Sequence, residues 1–152
     1  MASPKWKIKG LDAKYSFRKS AQIILNKRIA NLNGLIKSLL KDYTPENLHE
    51  VRIALRRLRY NMELFYDLFD RKKFIKLYSV IANLQNTTGN VRDIYLLKKN
   101  ILLFGQEEEI SFFEKINVKI EEKEKSLNDN LKLELSSFIH STELKSFMKI
   151  IK

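Results

Sequence analysis

The chain has 152 residues, 44% of them hydrophobic and 31% charged, which fits one domain with a core of its own beneath a well-solvated surface. Zero cysteines exclude a disulfide scaffold, a thiol nucleophile and a cysteine-ligated zinc site, and four glycines with two prolines argue against a turn-rich all-β domain. Lysine and arginine outnumber aspartate and glutamate 29 to 18, and the excess is uneven: residues 1–105 carry 21 basic and 8 acidic side chains, residues 106–152 carry 8 and 10. A basic front with a near-neutral tail suits a polyanionic partner, or else it is only the lysine-rich surface of a soluble protein.

An extended lead is expected over residues 1–11, where Lys5, Lys7 and Lys9 alternate with Trp6 and Ile8. It lacks the apolar run of a signal peptide, and no stretch is long and apolar enough to span a membrane, so a cytoplasmic protein is expected. Beyond the lead the apolar period is helical. A first helix starts near Asp12 or Ser16 and ends near Asp42, with Phe17, Ala21, Leu25, Ile29, Leu32, Ile36 and Leu39 on one stripe. Thr44-Pro45-Glu46 opens a second: threonine caps, proline is pre-set for the first turn, and glutamate suits the positive end of the helix dipole. That helix is expected to run to about Asp70, turning Leu48, Val51, Leu55, Leu58, Met62, Phe65 and Phe69 inward.

A third helix follows a short turn near Arg71 and Lys72, with Phe74, Leu77, Ile81, Leu84, Val91, Tyr95 and Leu102 inward, and Gly105 stops it. Glu107, Glu108 and Glu109 open a fourth, striped by Ile110, Phe113, Ile116, Ile120, Leu127, Leu131, Leu135 and Phe138. Ser141-Thr142-Glu143 interrupts it before a short last helix, Leu144 to Ile151. The whole of 1–152 therefore reads as one all-α domain, an antiparallel four-helix bundle of long helices joined by short connections.

The start of the second helix is the chemically informative segment. At about 100° per residue, His49, Arg52, Arg56 and Arg59 (i, i+3, i+7, i+10) share an arc of about 80° beside the buried stripe, a ridge about 15 Å long. Arg57 points to the other flank. Like charges at these spacings repel, and the helix offers few acids to balance them, chiefly Glu50 and Glu63. The arginine fork makes paired hydrogen bonds to phosphate oxygens and keeps its charge at physiological pH, so an external phosphate fits the ridge. An anion beside His49 would favour its charged form. The alternative is a solvated arginine face satisfied by internal salt bridges, with a histidine that only caps or packs.

On the third helix, Gln85-Asn86-Thr87-Thr88-Gly89-Asn90 interrupts a good helical pattern with residues of middling or poor preference. Gly89 would allow a backbone or ligand to come close. Arg92 could then reach the same anion, Asp93 could orient an arginine of the neighbouring helix, and Lys99, seven residues on, lies on the same side. A helix break or a tight helix crossing is the plainer explanation. Lys14 or Arg18 on the first helix could add charge. His49 and His140 are too far apart for a local ligand pair and have no carboxylate cluster beside them, so no metal and no cofactor are expected.

The string HEVRIALRRLR, followed on the next helix by GNVRD, resembles the CHAD family of α-helical domains, and the likeness covers most of residues 12–104. The family's histidine matches His49, its arginines match Arg52, Arg56, Arg57 and Arg59, and its later pair matches Arg92 and Asp93. The resemblance implies binding of inorganic polyphosphate in a basic groove lined by helices, without catalysis. Family members are usually about twice this length, with two four-helix bundles flanking the basic surface, so this chain reads as a half-length, single-bundle form. A symmetric homodimer would double the surface.

Three other functions compete. Nucleic-acid binding wants aromatic platforms beside the groove, and Phe17, Phe65, Phe69, Phe113 and Phe138 fall instead on core stripes, leaving Tyr60 and Tyr66. A phosphoesterase using His49 lacks a carboxylate metal cluster and a glycine-rich phosphate loop, so an enzyme is not expected. A purely structural helical assembly protein would ignore polyphosphate.

Overall fold

The structure, a computed structural model, describes residues 8–104 and 110–152, the side chains of 110–113 excepted. It is helical throughout, with no strand among the described residues: α1 (Phe17–Lys41), α2 (Pro45–Leu64), a single 3₁₀ turn (Tyr66–Leu68), α3 (Arg71–Phe104), α4 (Ile110–His140) and α5 (Thr142–Ile150). Among those residues no helix is long and apolar enough to cross a membrane. Lys5, Trp6 and Lys7 of the expected lead, the stop at Gly105, the acidic opening at Glu107–Glu109, and the Ile110 and Phe113 side chains lie outside the described residues.

Local chemistry sets the helix starts. Ser16 accepts the Lys19 N–H at 3.2 Å, Thr44 accepts the Asn47 N–H at 3.2 Å, and Ser141 accepts the Leu144 N–H at 3.2 Å. Each cap satisfies one of the amides that a helix start leaves without a partner. At α3 the same service comes from Asp70, whose carboxylate accepts the Lys73 N–H at 2.9 Å. Before α1, Gly10 takes a positive φ of 84° in a turn. The Lys27 ammonium donates to the Lys9 carbonyl and ties the lead to α1.

Contacts run in opposite order along neighbouring helices. Between α2 and α3, Arg52 lies near Arg92, Arg59 reaches Gln85, and Glu63 accepts from Tyr78. Between α3 and α4, Lys98 pairs with Glu124 at 2.8 Å while Asn83 lies against Glu134. From α1, Arg28 donates to Asn61 and Phe17 meets Phe65 edge-on at 5.4 Å. The core between these helices holds Leu25, Leu32, Leu55, Leu58, Leu77, Leu131 and Leu135, each fully buried. α5 closes one end: Phe147 packs against Phe69 and Phe74, and Asn26 and Gln22 of α1 donate to the carbonyls of Ile151 and Lys152.

Two expectations need correction. α2 stops at Leu64, short of Asp70: the Phe65 N–H still reaches the carbonyls of Asn61 and Met62, and the chain then tightens into the 3₁₀ turn. Asp70 must leave the helical register to cap α3, and Phe69, just after that turn, still reaches the core. Secondly, Tyr95 and Leu102 are exposed, not inward. Arg52 sits beside Arg92, so α2 gives out about 10 Å further along, near the level of Lys99. α3 continues to Phe104 with no α2 to cover Leu102, whereas Tyr95 lies level with the first turns of α2 and still stays open to solvent. Phe17 is likewise exposed, although its ring touches Phe65.

Candidate functional site

Arg52, Arg56 and Arg59 of α2 lie along its α3 side. Arg52 is partly buried, and burial together with the neighbouring Arg92 pushes its guanidinium below the ordinary arginine range; Asp93 acts in the opposite sense and Arg56 adds to the depression. Two helices thus bring like charges together at one place. Among the described residues Arg52, Arg56 and Arg92 form no ion pair. Arg59 differs: its Nε donates to Glu63 at 3.0 Å, and its guanidinium also reaches Gln85 at 3.4 Å. Glu63 is drawn below the usual carboxylate range by the Tyr78 hydroxyl and by Arg59, which closes a small network at that end of the ridge.

On α3, Gln85, Gly89, Arg92, Leu96 and Lys99 recur at helical spacing on one side, facing the ridge where Arg59 meets Gln85 and Arg52 meets Arg92. α3 is unbroken through the polar run. Thr87 and Thr88 are buried and return their hydroxyls to the helix, donating to the carbonyls of Asn83 at 3.2 Å and Gln85 at 2.9 Å. Gly89 serves neither a break nor a tight crossing: a Cβ added there would meet nothing within 4 Å. It leaves open space between the two arginine contacts.

At the α2 N-terminal end the groove deepens into a cleft of about 330 Å³. His49, Arg52 and Arg92 line its polar side, while Tyr43, Leu48, Val91, Tyr95 and Leu96 make the greater part of its wall. From α4, Asn128 accepts the Tyr43 hydroxyl at 2.8 Å, and Glu124 is held by Lys98. Burial, with a smaller contribution from Asp129, pushes the Tyr43 hydroxyl up to about 12.

The remaining candidates lie apart from this place. Arg57 is on the α1 flank, where burial and, to a smaller extent, Arg57 hold Arg28 below the ordinary arginine range. Arg18 stacks over Phe69 at 5.7 Å, so it and Lys14 lie at the α2 C-terminal end, about 25 Å from His49 along the helix. Lys99 is exposed about 10 Å beyond Arg92. Sequence reasoning missed Tyr43, Leu96, Glu124 and Asn128. Leu96 could have been found, one turn after Arg92; the α4 residues reach the cleft only through tertiary packing.

A family model described as the CHAD domain matches residues 2–101, which takes in α1, α2 and nearly all of α3. No curated protein and no solved structure gives a significant match. A match over that share of the chain, with the arginine groove inside it, settles the family: this chain belongs to the CHAD domain family.

Proposed function

We propose that the protein binds inorganic polyphosphate, without catalysis, along the α2–α3 groove. The observation that carries this reading is that Arg52 and Arg92, from two different helices, line one cleft, where no carboxylate forms an ion pair with Arg52, Arg56 or Arg92 among the described residues. Like charges drawn together in this way raise the free energy of the empty groove, and a phosphate chain laid between them relieves it. Membership of a family known for polyphosphate binding supports the same reading. Lys99 extends the positive track past the cleft, His49 lines the cleft itself, and Asp93 biases the Arg52 fork. Arg59, already tied to Glu63, contributes less. Arg57, Arg18 and Lys14 serve as a diffuse field that draws the polyanion in. The reading includes a homodimer that doubles the groove, supported by the exposed apolar end of α3 at Leu102, Leu103 and Phe104.

The test is a salt-stepped titration with long-chain polyphosphate and, separately, single-stranded RNA, with mass followed by light scattering. Polyphosphate should bind more tightly. By analogy with single-stranded nucleic acids, removing both phosphate contacts in Arg52→Ala, Arg92→Ala should flatten the slope of log K against log salt by about 1.4. Exposed Tyr60, one helical turn from Arg56, favours the second reading, in which nucleic-acid bases stack beside the ridge. Equal or tighter binding of RNA would select it.

A further inference from the structure

A bare phosphate chain has no apolar surface, yet most of the cleft wall beside Arg52 and Arg92 is Tyr43, Leu48, Val91, Tyr95 and Leu96. Tyr95 and Leu96 are 41% and 39% exposed, so their side of the wall is open to solvent, while Leu48 and Val91 are buried behind it. A cleft of about 330 Å³ with an apolar wall and a few convergent polar groups has the size and character of a small-molecule site. The polar groups are also specific. Asn128 has its oxygen engaged by the Tyr43 hydroxyl, which leaves its amide N–H groups to donate. Glu124 keeps acceptor capacity while Lys98 neutralises its charge. A flat heteroaromatic ring satisfies all of these at once: apolar faces for the tyrosines and leucines, edge acceptors for an amide, edge donors for a carboxylate.

We propose that the cleft is a second binding subsite, for the base of a nucleoside polyphosphate whose phosphates run out over Arg52 and Arg92 toward Arg56. The phosphate end of this proposal rests on the reading of the groove given above; the base end rests on the cleft alone. Gly89 leaves the exit from cleft to groove unobstructed.

Calorimetric titration of ATP and of inorganic tripolyphosphate at equal ionic strength, magnesium-free, separates the two ends. ATP should bind about tenfold more tightly than tripolyphosphate, the scale of one base stacked on an aromatic wall. Tyr95→Ala, Leu96→Ala should erase that advantage and leave tripolyphosphate affinity unchanged. Both residues are exposed, so the variant should fold, and an unchanged helical spectrum checks it. Equal affinity of wild-type protein for ATP and tripolyphosphate overturns the base subsite, whatever long-chain polyphosphate does. ATP binding without tripolyphosphate binding supports the subsite and counts against the phosphate groove. No ATP preference, with a doubled mass that Tyr95→Ala, Leu96→Ala halves, would assign the wall to a second copy of the chain and overturn the proposal.

Discussion

In the proposed site, Arg52 is the arginine expected to matter most, because of where its charge is held. Burial and Arg92 both disfavour its charged form, so an anion gains there what bulk water fails to supply. A lysine in its place would keep the charge and lose the fork, and Arg52→Lys should bind polyphosphate several-fold more weakly, measurable in the same titration. Tyr43 allows a test by pH. Burial and the negative charge of Asp129 disfavour its phenolate, raising the group to about 12 against about 10 in the unfolded chain. What the neutral hydroxyl contributes to stability is therefore fully present below pH about 10 and is lost as pH rises through about 12. In an ultraviolet titration Tyr43 should ionise late, and Tyr43→Phe should remove a step near pH 12.

At the scale of elements, the polar run of α3 is a helix that tolerates poor formers because two of its threonines bond back to it and its glycine faces empty space. Gly89→Ala should raise stability by about 0.5–1 kcal/mol in thermal or denaturant melts, since the added methyl meets nothing and the glycine's backbone freedom is removed. Gly89→Leu should instead fill the groove floor and weaken polyphosphate binding several-fold without unfolding the protein. At the other helix, Thr44→Ala removes the acceptor of the Asn47 N–H and should cost about 1 kcal/mol. The Thr44 start of α2, the Ser16 option of the two starts offered for α1, and the stripes of α1, α2 and, from Ile120 on, α4 were legible from the sequence, because caps and apolar periods are local. The ends were not. Where α2 gives way to a 3₁₀ turn depends on Asp70 capping the next helix, and whether Leu102 is covered depends on how far α2 extends, which no pattern within α3 records.

For the molecule as a whole, the candidate site was half legible. One helix face of 3.6-residue spacing put His49, Arg52 and Arg56 in line, and the second arginine contact came from matching order on the next helix. The cleft was hidden, since its wall joins the α1–α2 connection, α2, α3 and α4, and Asn128 is 85 residues from the Tyr43 hydroxyl it accepts. Net charge alone does not distinguish a groove from a generally basic surface: with +11 on the chain, any polyanion is attracted. Position does. The most direct test compares long-chain polyphosphate binding by Arg52→Ala, Arg92→Ala with binding by Lys72→Ala, Lys73→Ala, which removes the same charge from exposed positions at the far end of α3. A groove site predicts a loss of tenfold or more for the arginine pair and less than threefold for the lysine pair at the same salt. Equal losses from both pairs would contradict it and reduce the interaction to the field of a basic protein.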